Sequence, residues 1–352
     1  MRFAIVSRHI PDPEGTAAGR ILFATCSGLI ADGHEVQVCS WGFEQPTLPL
    51  PPWCEWRPVV VPRGLALLES YVRPVSEVLQ IDWRPPEDQD GIAIADDPPS
   101  WPAVANAPRS AVTIHYLTKL DVRALGVPNF RQIQERRAER RAVRGAPLVL
   151  AYSERVARSA AAEAVAIPVA FPVPERPIDP VADPVAAVVA DWRWPPNAVA
   201  LRSLLEAWPE VRRRKRDARL LLAGRGLDGI ASHDGVESVG VPVRSLDVLA
   251  RAAVLTFPAP DTSGPKIKVL EALAHGLPVV TTPPGVEGLR LRDGDGAVVV
   301  PLDRFADAVA RLLDDKDERA RLAASGRAAV LSAHAPIPAA RARVRAVNGD
   351  PG

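Results

Sequence analysis

The chain has little lysine: Lys119, Lys215, Lys266, Lys268 and Lys316 are the only five among its 43 basic residues. It has no surplus of charge either, with 43 Lys and Arg against 42 Asp and Glu. Proteins that neutralise phosphates along a nucleic-acid backbone carry a broad basic excess, so this balance argues against a nucleic-acid partner. Cysteine is scarce as well. Cys26, Cys39 and Cys54 form an odd set without the spacing of a zinc site or a disulfide framework, which favours a reducing, cytoplasmic setting. Long apolar runs are missing. The first ten residues are interrupted by Arg8 and His9, too early for a signal-peptide core, and no window approaches the roughly 18 apolar residues of a membrane span. A soluble intracellular protein is expected.

What is present suits an ordinary globular protein: 352 residues, 47% hydrophobic and 24% charged, enough for two domains with sizeable cores. Phe3 to Ser7 reads as a strand, Leu22, Cys26 and Leu29 as one face of a helix stopped by Gly33, and Val36 to Cys39 as a second strand. Strands follow at 59–61, 92–95, 112–114 and 148–151, with helices over 130–144 and 153–165 and an irregular insertion over 83–101. Strand and helix alternation of this kind favours parallel sheets covered by helices on both faces. Prolines crowd the stretch from Ile167 to Val185, and the alternation then restarts. The expected domains are residues 1–170, a linker over 171–185, residues 186–335, and a tail over 336–352 that returns to the first domain. In such sheets ligands bind where strands end, so chemistry is sought there.

The run from Asp261 to Gly276 (DTSGPKIKVLEALAHG) is the richest in chemistry. Gly264 can cap a helix, Pro265 suits its first position, and Gly276 suits its end. Free amides and the positive end of a helix dipole make an anion site, with Lys266 in the first turn. Gly264, Lys268, Glu271 and His275 then share one stripe, so amides and lysines could meet phosphates while the carboxylate accepts from sugar hydroxyls. An amphipathic helix carrying a Lys268 to Glu271 surface pair is the plain alternative.

This run, with Leu277 to Thr282 and Gly285-Val286-Glu287-Gly288-Leu289 after it, resembles the donor-site signature of family-4 retaining glycosyltransferases of the GT-B fold. Trp194-Pro195-Pro196-Asn197, Arg219 to Gly224, Leu249 to Ala253 and Ala306 to Leu313 match the same family in order over most of residues 185–330. The resemblance is weaker in the first half, through Gly33 to Val36, Ile114-His115, Ala138-Glu139 and Ser153 to Ala157. It implies an α/β fold of two Rossmann-like doubly wound domains facing across a cleft. It also implies transfer of a sugar from a nucleoside-diphosphate donor, UDP-sugar ahead of GDP-sugar, to a hydroxyl-bearing acceptor, with retention at the anomeric carbon and no cofactor or obligatory metal. By position, Glu271 would hold the donor ribose, and Lys266, Lys268 and the Gly264 end would hold the diphosphate. Gly240 and Val241 would flank the base, and His115 would lie near the transferred sugar. Gly15 to Gly19 would approach the phosphates or the acceptor; for this loop a flexible turn, and for His115 a satisfied loop histidine, are the plain alternatives.

Two departures stand out. Many members carry glutamates eight positions apart, but Ser263 occupies the first of these positions, which opens the alternative of a catalytically inactive nucleotide-sugar-binding or regulatory protein of the same fold. The Gly-Arg that often opens the second domain is Ala190-Asp191, leaving Arg193 or the lysines to replace a phosphate contact. Several weaker motifs are set aside. Gly224 to Gly229 spells a dinucleotide-binding glycine pattern without a helix opening on it, so NAD chemistry is a distant third reading. Asp293-Gly294-Asp295 reads as a turn rather than a metal-binding pair. The arginine-rich 131–144 helix lacks the aromatic residues of a membrane-buried face and reads as solvated in preference to peripheral lipid contact. Asp96, Asp97 and Trp101 could grip acceptor hydroxyls or cap a loop.

Overall fold

The computed structural model describes residues 1–43, 46, 49–60, 80, 81, 83, 90–125, 130–229 and 233–350. The chain divides into two compact units, one of residues 1–172 with 335–352 and the other of residues 173–334. The first unit is thus discontinuous, and the second begins within the proline-rich stretch assigned to a linker.

The first unit runs β1 (Arg2–Ser7), α1 (Ala17–Ala31), β2 (Glu35–Gly42), β3 (Cys54–Val60), β4 (Gln80–Ile81) and β5 (Gly91–Ala95). A 3-10 turn (Pro98–Ala103), β6 (Ser110–Ile114), α2 (Thr118–Leu125), α3 (Phe130–Gly145), β7 (Leu148–Ala151), α4 (Glu154–Ala160) and β8 (Val165–Ala166) follow. The sheet order is β4-β3-β2-β1-β5-β6-β7-β8, parallel throughout except for β4 against β3. Alternation along β1 explains why both faces are covered. Phe3 and Ile5 pack with Leu22, Cys26 and Leu29 of α1, whereas Ala4 and Val6 join Trp101, Ile114 and Ala142 on the opposite face. Two expectations are corrected. The 83–101 stretch is no insertion, since β5 within it sits in the middle of the sheet between β1 and β6; its residues 84–89 lie outside the described residues. The helix capped by Ser153, whose Oγ accepts from the Val156 amide at 3.0 Å, stops at Ala160 instead of running to Val165, because β8 claims Val165 and Ala166 for the sheet edge. Val61, the last residue of the expected 59–61 strand, also lies outside the described residues.

The second unit runs β9 (Val185–Val189), α5 (Pro195–Arg214), β10 (Arg219–Ala223), β11 (Val236–Gly240), α6 (Leu246–Leu249), β12 (Val254–Phe257) and α7 (Ile267–Ala274). It continues with β13 (Val279–Thr281), a 3-10 turn (Pro283–Val286), β14 (Ala297–Val299), α8 (Leu302–Asp314) and α9 (Lys316–Ala333). All six strands are parallel in the order β11-β10-β9-β12-β13-β14. The glycine-rich turn after β10 opens no helix within the described residues. Its Gly224, at φ +114°, lies so close to the Ala190 carbonyl that a Cβ would collide with it. Asp293 and Asp295 accept from the amides of Val299 and Arg292 and so hold a turn. Among the described residues no helix is long and apolar enough to cross a membrane, and no group of three or more His, Cys, Asp or Glu side chains is placed to hold a metal ion.

The last helix, α10 (Pro336–Val347), belongs to the first unit and packs on α1. Its Arg343 is buried and donates to Thr113 Oγ1 at 3.1 Å and to the Tyr152 hydroxyl at 3.0 Å. The approach of the two helices is set by Gly28, where a Cβ would run into the Pro336 carbonyl oxygen. In an isolated helix Gly→Ala gains roughly 1 kcal/mol, whereas overpacking against backbone costs about 1 to 3 kcal/mol. We therefore expect Gly28→Ala to lower Tm in a thermal melt; an unchanged or raised Tm would contradict this contact.

Candidate active site

Each sheet has one place where neighbouring strands send their following segments to opposite sides, and ligands of open α/β sheets bind at such switch points. In the second unit it lies between β9 and β12. The helix after β12 is α7, and Lys268 in its first turn donates to Oδ1 of Asn197, on the helix after β9, at 2.9 Å. The ammonium also sits 4.1 Å above the centroid of the Phe257 ring at the end of β12. Burial and the neighbouring Lys266 push its pKa down to about 7, with Glu271 acting the other way. Among the described residues Lys268 makes no ion pair. Glu271, one turn on and 6% exposed, accepts from the Ser245 hydroxyl just ahead of α6.

The start of α7 differs from the sequence expectation. Gly264 is not its cap and Pro265 is not its first residue. Gly264 adopts φ +79°, a left-handed turn that glycine tolerates, and the helix begins at Ile267 with extended Lys266 at the cap position. The Lys266 side chain folds back so that its ammonium donates to the carbonyls of Thr262 and Gly264 at 3.0 and 2.6 Å. The Gly264 amide donates to Glu287 Oε1 at 3.0 Å, so an anion at this amide has to displace that carboxylate. Ser263 is buried beside it. Arg193 is held by both oxygens of Asp191 at 2.9 and 2.7 Å, with Arg225 3.3 Å from the same carboxylate. Those hydrogen bonds from Arg193 hold Asp191 below the usual carboxylate range. Arg193 is therefore already matched with an anion. Gly240 ends β11 at φ +77° with its carbonyl accepting from the Gly224 amide, and Val241 follows it as an exposed apolar side chain.

In the first unit the switch point lies between β1 and β5. Arg8 and His9 follow β1, Asp96 and Asp97 follow β5, and His115 and Tyr116 follow β6. Together with Ala18, Pro98, Glu135 and Glu139 of α3, all of these except Asp96 line a cavity of about 260 Å³. Gly15 and Gly19 flank the start of α1. Thr16 caps that helix by accepting from the Gly19 amide at 3.2 Å, and a Cβ on Gly19 would strike the Ile10 carbonyl, so this loop is packed rather than a loose turn. Asp97 caps the 3-10 turn through Ser100 and also accepts from the Arg8 amide at 3.0 Å. Of the two readings of Asp97, loop capping is what this geometry shows. Trp101 is buried against Gly145 of α3. Asp96 accepts from Ser7 Oγ at 3.1 Å and lies 3.6 Å from His115 Nε2, too far for a hydrogen bond. Burial alone would raise Asp96, but His115, Arg343 and His9 hold it below the usual range. Burial drives His9 down to about 4, which leaves it neutral near pH 7. The His115 ring meets Tyr152, just after β7, edge-on at 5.0 Å, and Arg343 of α10 in turn donates to the Tyr152 hydroxyl.

Arg8, His9, Glu135 and Ser245 took no part in the sequence expectation for the site, and Asn197 and Glu287 lay in segments of the resemblance without being given a role. The one available signal was position, since Arg8, Asn197 and Ser245 follow strands directly or open the next helix.

Glu139 accepts from the Thr118 amide at 2.8 Å and from Thr118 Oγ1 at 2.5 Å, yet burial raises its pKa from 4.5 to about 7. The folded chain thus holds this proton more tightly than the unfolded chain, and stability is lost as pH rises from about 4.5 to 7. Glu139→Gln keeps an acceptor for Thr118 and removes the titration. We expect its stability relative to wild type to improve by about 1 to 3 kcal/mol between acid and mildly alkaline pH, read from denaturant melts; a pH-independent difference would contradict the shift.

Comparison with known proteins agrees with this geometry. The profile of the family described as Glycosyl transferases group 1 matches residues 183–315. A GDP-mannose-dependent alpha-(1-6)-phosphatidylinositol monomannoside mannosyltransferase of Mycobacterium tuberculosis is 32% identical over 145 residues, covering 36% of this chain and 38% of the relative. A monoacylated-substrate counterpart from Corynebacterium glutamicum is 31% identical over the same length. The chain therefore spans well under half of these relatives. Among solved structures, sucrose-phosphate synthase from Thermosynechococcus elongatus superposes with TM-score 0.70 at 17% identity, covering 99% of this chain and 98% of that one. Anabaena HepE in complex with UDP-glucose gives 0.66 at 14% identity, covering 99% of each chain. The family profile thus matches residues 183–315, and the solved structures, with two parallel α/β units, give the chain the two-domain Rossmann-like GT-B fold of glycosyltransferases.

Proposed function

We propose that the chain transfers a sugar from a nucleoside-diphosphate sugar to a hydroxyl-bearing acceptor, with retention of anomeric configuration and without an obligatory metal. The observation that carries this reading is Lys268: a buried ammonium with one amide oxygen and a ring face for company, at the strand ends where nucleotides bind. A buried cation without an ion-pair partner, as Lys268 is among the described residues, is costly, and a diphosphate would supply the anion. In the reaction the bond between the anomeric carbon and the diphosphate oxygen breaks, the acceptor oxygen bonds to that carbon on the same face, and the acceptor proton passes to the departing phosphate. Negative charge grows on the leaving group, and Lys268, with Lys266 beside it, is the means of stabilising it. Glu271, now satisfied by Ser245, would exchange that hydroxyl for those of the ribose. His115 would serve the transferred sugar.

Two kinds of likeness point to different bases. The sequence relatives named for GDP-mannose are 32% identical, against 14% for the structure holding UDP-glucose. We take the higher identity as the better guide and rank a GDP-sugar, GDP-mannose first, ahead of the UDP-sugar that the motif alone favoured. Ser263, in place of a glutamate, supports a second reading as a nucleotide-sugar-binding protein without turnover.

A thermal-shift panel of GDP, UDP, ADP and NAD tests the donor class, since a ligand at about 100 times its Kd adds about 2.7 kcal/mol. GDP is expected to raise Tm most; a shift with NAD and none with any nucleoside diphosphate would overturn the proposal. Lys268→Ala and Glu271→Ala should each weaken nucleotide binding by about 1 to 3 kcal/mol, and unchanged affinity in both would move the donor site elsewhere. His115→Ala should lose turnover and keep nucleotide binding; full activity would remove His115 from the reaction.

A further inference from the structure

Four neighbouring strands of the first sheet end in a row of polar groups on one face. Phe3 and Ile5 of β1, Ile92 and Ile94 of β5, Ala111 of β6 and Leu148 of β7 pack toward α1 and α10. Counting on by twos puts Ser7, Asp96, Thr113, His115 and Tyr152 on that same face. Ser7 Oγ donates to Asp96 at 3.1 Å, and Arg343 reaches in from α10 to Thr113 and Tyr152. Two residues earlier, Arg341 pairs at 2.8 Å with Asp32, which caps the end of α1.

Packing of α10 on α1 does not itself call for a cation at this depth. Arg343 is 3% exposed, donates to two neutral hydroxyls, and makes no ion pair among the described residues. A buried guanidinium is costly unless a negative charge lies behind its neutral partners. Asp96 is that charge. Burial works against its ionisation, and the basic groups that oppose burial are His115, Arg343 and His9. Of the two residue types, only arginine keeps its charge throughout the neutral range. At the other end of the row, His115 lines the cavity and turns a buried Nε2 to within 3.6 Å of Asp96 Oδ1, with its ring edge-on to Tyr152. An ionised carboxylate beside Nε2 favours the ring proton on that nitrogen, whereas a neutral carboxyl group can donate to it and favours the proton on Nδ1.

We propose that Arg343 is a positioning residue for His115: it supplies the fixed charge facing Asp96, anchors Tyr152, and so sets which ring nitrogen of His115 carries the proton. The tail helix then serves the site as well as the fold. The proposal rests on the glycosyltransferase reading for its effect on turnover, but not for its effect on the ring.

The test reads the imidazole nitrogens of the full chain by NMR with the His115 ring neutral, its signals assigned by their loss in His115→Ala. The wild-type ring should carry its proton on Nε2. Arg343→Gln, which keeps a donor and loses the charge, should lower that population, and Arg343→Lys should retain most of it. Asp96→Asn should also lower it, and adding Arg343→Gln to Asp96→Asn should change the ring little further. In thermal melts the double variant, with both buried charges gone, should lose less stability than the two single losses added together. Turnover, read as GDP released from GDP-mannose, should fall about 10- to 100-fold in kcat for Arg343→Gln, with the Kd for GDP unchanged. The proposal is overturned if the wild-type proton sits on Nδ1, if Arg343→Gln and Arg343→Lys leave the ring alike, or if the losses of stability simply add. A ring that answers to Arg343 in a chain without sugar transfer defeats the glycosyltransferase reading alone; sugar transfer by a chain whose ring and kcat ignore Arg343 defeats this proposal alone.

Discussion

The second unit buries a lysine ammonium, that of Lys268, which makes no ion pair among the described residues. Lys268 is carried into the sheet's switch point by α7, whose other faces are locked in place by Val269, Leu270, Leu273 and Ala274 in the core. Its ammonium has Asn197 and the Phe257 ring around it, and burial lowers its pKa to about 7. Stability alone would favour an apolar residue there, because a desolvated cation contributes little to folding. On the proposed function, this is the position that receives the diphosphate. With the Lys268 pKa lowered to about 7, binding of an anion there would be linked to the uptake of a proton.

Both units obey the same geometric rule although their chemistry differs. A parallel sheet delivers all its strand ends to one edge, and the reversal of strand order opens a gap there. In the second unit that gap gathers Lys266, Lys268 and Glu271; in the first it gathers Arg8, His9, His115, Glu135 and Glu139. The first gap holds Arg8, the arginine of its lining, in an ion pair with Glu135. In the second, Lys268 makes no ion pair among the described residues, and on the proposed function it is the group that meets the diphosphate.

Much of this was legible in the sequence. Short apolar runs at 3–7, 92–95 and 148–151 marked strands in the right places, and the Lys268 to Glu271 spacing marked one helical stripe. What stayed hidden depends on distant partners: Asn197 lies 71 residues from Lys268, and Glu135 lies 127 from Arg8. Gly264 misled because glycine serves equally as a helix cap and as a left-handed turn residue, and only the backbone φ of +79° decides between them. The tail helix was obscured by Pro336 and Pro338, which its first turn accommodates because those amides have no helical partner. Asp97, a candidate for binding hydroxyls, proved to be spent on capping its own turn.

The scarcity of lysine makes the central claim directly measurable. With five lysines in the chain, side-chain ammonium resonances of selectively labelled protein can be assigned by single substitutions and followed through a pH titration, with and without GDP. One lysine, lost in Lys268→Ala, should titrate near 7 in the free protein, and its pKa should rise when GDP binds. A Lys268 titration near the ordinary value of 10.5 in the free protein, or one that GDP leaves unmoved, would contradict the account.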